Sequence, residues 1–238
     1  MLGKPPLDEY RPLRTFLDDA HHNTKVVEQD FGVLFQKLDA ISRAYSQLIG
    51  LLDFSSDWFL VFFVLRSHSS FLAGATLATS TQVPDSYGAA RSVLENTIYA
   101  FYLWRHKDLL ETWIKRQEDD DTKKRVRDSF KHGTMLTELE QYDGQYGKVY
   151  RQLYEDTIDM GAHPNVNSIL SNIEIIEDDK SIVHRLKYFN PDSPIIDLGL
   201  KRLCQCGVIS QKIYGMIWYD RLKLTDYLHQ LTQIEMGL

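Results

Sequence analysis

Two segments carry side chains whose types and spacing could do chemistry. In SYGAARSVLENTIYAFYLWR, Arg91 and Glu95 stand four residues apart, the spacing that stacks two side chains on one helix face. Tyr99 and Tyr102 continue that face. In YEDTIDMGAHPNV a helical pattern ends at Gly161, and His163 is held directly before Pro164. A proline biases the residue before it toward extended backbone, so this imidazole is a positioned one. A histidine beside a carboxylate has its tautomer set, and an arginine keeps that carboxylate ionised. Arg91, Glu95 and His163 are therefore the first candidates for acid, base or donor roles. Two structural alternatives stand beside this: a buried Arg91–Glu95 ion pair, and His163 capping carbonyls at a helix C-terminus after Gly161.

A second pairing lies in RDSFKH, where Arg127 and His132 enclose four residues. That is the Arg-polar-x3-His spacing of the HEPN ribonucleases, and a chain of this composition yields roughly one such match by chance. Arg127 and His132 are weaker catalytic candidates for that reason. His21 and His22 are adjacent, splay apart, and are expected in solvent.

Other chemistries leave no trace in the sequence. There is no G-x-x-x-x-G-K-[ST] or G-x-G-x-x-G to cradle phosphates, no C-x-x-C and no H-E-x-x-H, so neither a cofactor nor a metal is expected. The paired Glu-x-x-His motifs of dimetal bundles are missing as well. The two cysteines, Cys204 and Cys206, point about 200° apart on a helix and cannot bridge. This usage fits a reducing cytoplasm. A net charge of -6 gives the whole chain no basic field for nonspecific nucleic-acid binding.

The elements that must position these residues are helices. The prolines leave the spans 13–83 and 85–163 free of helix breakers. Val27, Phe31, Leu34, Leu38, Ile41, Tyr45, Leu48 and Leu52 recur at alternating steps of four and three, which predicts a helix over 23–52 with room for a dimer interface along its seam. Helices follow over about 56–80, 83–105, 107–117, 122–140, 144–161, 194–218 and 220–235. WFLVFFVL, residues 58–65, falls short of the ~20 apolar residues that cross a bilayer and reads as a buried core helix with no membrane role. The charge run 118–121 reads as a solvated turn. Alternating residues near 172–188, with Asp178, Asp179 and Lys180 between them, predict one β-hairpin. The expectation is a mainly α multi-helix bundle of seven or eight helices with one short β-hairpin, an N-terminal arm over 1–22 and a single helical domain over 23–238.

The Arg-x3-Glu helix rich in aromatics, followed later by a tyrosine and Ala162-His163-Pro164, resembles an uncharacterised bacterial group of mainly helical proteins near the HEPN-like fold. The likeness spans roughly residues 40–235. It implies Arg91, Glu95 and His163 as polar positions, with Tyr102 and Tyr154 beside them. It also implies a homodimer in a defence or toxin–antitoxin setting. Two functions follow as expectations. One is a noncatalytic helical module that binds a protein partner; the other is an RNA-binding or RNA-cleaving effector using the Arg/His/Glu side chains.

Overall fold

The structure, a computed structural model, describes residues 12–53, 55–163, 166–170, 173–178 and 181–238. It is a mainly α bundle. Among the described residues the chain runs α1 (Leu13–Asp30), α2 (Gly32–Leu51), α3 (Trp58–Thr79), α4 (Val83–Arg105), α5 (Leu109–Ile114), α6 (Asp120–Ser129), α7 (His132–Tyr142) and α8 (Gly144–Thr157). A π-helical turn at Ile158–Ala162 leads to α9 (Val166–Leu170), β1 (Ile173–Asp178) and β2 (Ser181–Leu186). Then come α10 (Ser193–Ile217), α11 (Tyr219–Leu222) and α12 (Tyr227–Glu235).

There are more helical segments than the seven or eight expected because continuous apolar periodicity hides local breaks. The helix expected over 23–52 is two helices. Phe31 leaves helical geometry at φ -117°, ψ 34°, just before Gly32. The first of the two begins at Leu13, so residues 13–22 are helix and not an arm; residues 1–11 lie outside the described residues. The helix expected over 122–140 breaks in the same way at Phe130 (φ -105°, ψ 47°), which turns into the core. Asp119, within the acidic run, caps α6 by accepting from the Thr122 amide at 2.6 Å. Asp143 caps α8 by accepting from the amides of Gln145 and Tyr146. Both satisfy N–H groups that a helix start leaves without intrahelical partners.

β1 and β2 form the expected hairpin, antiparallel, with Ile173 opposite Leu186 and Asp178 opposite Ser181. Its turn residues, 179 and 180, lie outside the described residues.

The core is one cluster built on α4 and α10. α3 and α4 form a helical hairpin whose turn holds Thr81 at φ 66°, a left-handed geometry that is costly for a β-branched residue. The Asn190 amide donates to the Thr81 carbonyl at 3.0 Å and the Asn23 side chain donates to its hydroxyl at 3.3 Å. These bonds tie the turn to α1 and to the start of α10. Close approach depends on missing side chains at several places, two of which bear on α4 and α10. A Cβ on Gly207 of α10 would come within 2.7 Å of Ile41 and Phe71, and one on Gly161 within 2.1 Å of the Pro84 carbonyl. Gly161 is there for that contact with α4 and not for a left-handed helix stop, since its φ of 168° is open to any residue.

Val27, Leu34, Leu38, Ile41, Tyr45, Leu48 and Leu52 are all buried within the chain's own core. Their seam therefore offers no dimer interface. α3 departs from expectation in the opposite sense: it is only half buried. Leu60, Phe63, Val64, Ser67 and Phe71 point inward, while Trp58, Phe62, Leu65 and Leu72 stay 63%, 51%, 43% and 45% exposed. At 22 residues α3 is long and apolar enough to cross a membrane by length and composition.

Candidate functional site

The candidate site lies where α4 meets α7 and α8. Arg91 Nε donates to Glu95 Oε1 at 2.8 Å, as their spacing on one helix face requires. The guanidinium also reaches across to α8, where Nη2 donates to the Tyr154 hydroxyl at 2.9 Å. That hydroxyl has one proton, which it gives to Glu95 Oε1 at 3.2 Å, closing a triangle of three bonds. The guanidinium carbon lies 5.1 Å from the centre of the Tyr154 ring, within cation–π reach.

His132, the first residue of α7, stacks on the other part of this triangle. Its ring centroid is 3.7 Å from that of Tyr154 with planes 16° apart. Its Nε2 lies 3.3 Å from the Tyr150 hydroxyl, and Tyr150 donates its single proton to the Leu94 carbonyl at 3.1 Å. Tyr150 can therefore only accept from the imidazole. This assigns the proton of the neutral ring to Nε2 and leaves the lone pair on Nδ1.

Burial sets the protonation states. It lowers the His132 pKa from 6.5, with the Glu95 charge opposing in part and Arg91 reinforcing. It raises the Tyr154 pKa above 10, helped by the negative charge of Glu95. Burial pulls Arg91 downward, but its bond and charge pairing with Glu95 outweigh that, so the guanidinium is held more firmly protonated than usual. At neutral pH the group comprises a neutral imidazole, a neutral phenol and an Arg–Glu pair. The side chains of Arg91 and Glu95 remain 21% and 41% exposed.

Farther along α4, His106 Nε2 lies 2.6 Å from Glu138 Oε2, and Arg105 Nε reaches the other oxygen at 3.4 Å. Arg105 lies over the rings of Trp104 and Tyr142. Arg105, Glu138 and Tyr142 line an open surface pocket of about 650 Å³ together with Gly133, Thr134, Thr137 and Gln141. On α8, Arg151 forms a bidentate pair with Glu140, both bonds 2.7 Å. Each of these arginines on the face is matched to a carboxylate.

Of the residues picked out by spacing, Arg91 and Glu95 come together, with Tyr154 between them. The imidazole stacked on this group is that of His132. His163 is exposed at the end of the π-helical turn, with the extended backbone (φ -131°, ψ 148°) that a following proline favours; Pro164 lies outside the described residues. That turn packs on the start of α4, where Gly161 meets Pro84. Along the helix axis Pro84 stands about 16 Å from Glu95. Arg127 is exposed on the last turn of α6, and the break at Phe130 separates it from His132. Tyr102 is buried against Phe130 and lies 4.4 Å from the His106 ring. His21 and His22 are exposed, and Cys204 and Cys206 are buried free thiols whose pKa values burial pushes up to about 12.

Spacing missed the roles of His106, Arg105 and Glu138, because the acid and the bases sit on different helices. The pairing of His132 with Tyr150 and Tyr154 had a partial signal. Two tyrosines four apart on α8 share a face, as Arg91 and Glu95 do on α4. Among the described residues no group of three or more His, Cys, Asp or Glu side chains gathers to hold a metal. No protein-family model, curated protein or solved structure matches the chain.

Proposed function

We propose that the chain is a noncatalytic helical module that binds a protein partner through the uncovered face of α3. On this reading the Arg91–Glu95–Tyr154–His132 group is a clasp that holds α4 against α7 and α8. The observation that carries it is the internal matching of charge. Arg91 is taken up by Glu95 and Tyr154, Arg105 and His106 by Glu138, and Arg151 by Glu140. No cation in this group is left over to stabilise phosphate, which an RNA-cleaving site needs. The resemblance of the Arg-x3-Glu and His-Pro segments suggests a defence or toxin–antitoxin setting for such a module.

A second reading has its own support. The Nδ1 lone pair of a neutral His132 beside a half-exposed Glu95 could serve as a general base in an RNA-cleaving effector of HEPN-like type. One experiment separates the two. Purified chain is incubated with labelled single-stranded RNA beside His132→Ala and Arg91→Ala. The module reading expects no cleavage by any of them, and lower thermal stability in both variants. Cleavage by the wild type, lost in a folded His132→Ala, would install the effector reading instead.

A further inference from the structure

The exposed face of α3 has an internal order that names its occupant. Six of its eight exposed positions, 58, 62, 65, 69, 72 and 76, follow each other at steps of four, three, four, three and four, with 66 and 73 flanking them. That is the seam of a two-helix coiled coil, on a helix whose opposite face is already buried in the core. The set is also symmetric about position 67. Run antiparallel against a copy of itself, α3 sets 58 opposite 76, 62 opposite 72, and 65 opposite 69. The residues then alternate in size across the axis: Trp58 faces Thr76, Phe62 faces Leu72, and Leu65 faces Ser69. A large side chain meets a smaller one in every pair.

The space for the largest of them is present. Beside Thr76 a groove of about 430 Å³ runs between α3 and the first two helices, lined by Phe35, Leu72 and Ala75 together with the polar His21, Asp39 and Ser42. Trp58 stands at the other end of the same face, its ring edge-on to Phe59 and Phe62. Knob and hole lie about 27 Å apart along one helix, which a two-fold axis midway between them brings together twice. Trp58, Phe62, Leu65 and Leu72 expose on the order of 400 Å² per copy. Two copies approach the ~1,200 Å² of a stable interface once the groove walls and the rim are added.

We infer that the partner of this face is a second copy of the chain, joined by an antiparallel α3–α3 pair in which Trp58 and Phe62 of each copy fill the groove beside Leu72 and Thr76 of the other. This rests on the proposal that α3 is the binding face, and it excludes a different protein as its occupant. Arg66, the single Arg, Lys, Asp or Glu of α3, stands on the rim next to the axis. The two copies bring their Arg66 side chains close, so salt tightens the dimer by screening them.

Sedimentation velocity on the full chain tests this. The wild type is expected at two times 27.7 kDa, or 55.4 kDa, at tens of micromolar and more completely so at higher salt. Phe62→Asp is expected to run as a folded monomer, while Leu13→Asp, at a still more exposed apolar residue of α1, stays dimeric. Cross-linking fixes the orientation. With both native cysteines buried, Ser69→Cys joins chain to chain through a short bismaleimide, and Thr76→Cys does not. A monomeric wild type overturns the inference, including one recruited to phosphatidylcholine vesicles through α3. So does a dimer that survives Phe62→Asp, that salt dissociates, or that Thr76→Cys cross-links. RNA cleavage by the dimer would sink the noncatalytic reading and leave this inference standing. A monomer that cuts no RNA would do the reverse.

Discussion

α3 and α4 are neighbours of nearly equal length in one helical hairpin, and they are buried in the opposite order to their polarity. α3 carries one formal charge in its 22 residues, yet only nine of those residues are buried. α4 contains Asp85, Arg91, Glu95 and Arg105 in 23 residues, and thirteen are buried. The reason is position. α4 is packed by α3, α7, α8, α10 and the π-helical turn, so its polar side chains are enclosed and must find one another. α3 is packed on one side only, so its apolar outer face stays in solvent. Burial therefore demanded pairing of α4, and its lack left α3 a surface that water alone covers poorly.

The largest effect that could break this comparison is a truncation made on each helix. Phe101→Ala on α4 removes a fully buried ring and should cost about 3–5 kcal/mol in denaturant unfolding. Phe62→Ala on α3, measured at a concentration where the chain is monomeric, should cost less than about 1 kcal/mol. Equal losses at the two sites would mean that the outer face of α3 is packed within one chain.

The clasp on α4 should be worth less than the core but should act as a unit. Arg91→Ala is expected to destabilise by about 1–2 kcal/mol, since it strips a bond from each of Glu95 and Tyr154. A double-mutant cycle with Tyr154→Phe should give a coupling of at least about 0.5 kcal/mol. Additive losses would show that the triangle of bonds contributes no cooperativity.

A smaller effect sharpens the assignment of protonation states. Burial lowers the pKa of His132, and also that of His68 on α3, below the ordinary 6.5. The unfolded chain then binds more protons than the folded one as pH falls past 6.5, so stability is full above that value and declines below it until the folded pKa values are passed. Urea midpoints between pH 8 and 5 should fall accordingly. His132→Gln should flatten the decline in part, leaving the share of His68. An unchanged slope would place His132 in solvent. Smallest of all, Arg127→Ala should change stability by no more than about 0.5 kcal/mol, because the side chain is exposed and outside the clasp.

Much of this was already present in the linear chain, and for a definable reason. The bounds of α4, its proline entry, the hairpin, and the Arg91–Glu95 contact depend on neighbours within a turn or two, where spacing alone dictates geometry. The breaks at Phe31 and Phe130 were hidden because apolar periodicity runs straight through them. Two further matters were decided only by tertiary packing. The imidazole set against Tyr154 is His132 and not the proline-locked His163, because α7 and the π-helical turn meet α4 at different heights, which no spacing encodes. And α3 carries large apolar residues on every side, so its sequence gives its packing little direction. Only the placement of α2, α4 and α10 chose which of its faces entered the core and which was left to meet another surface.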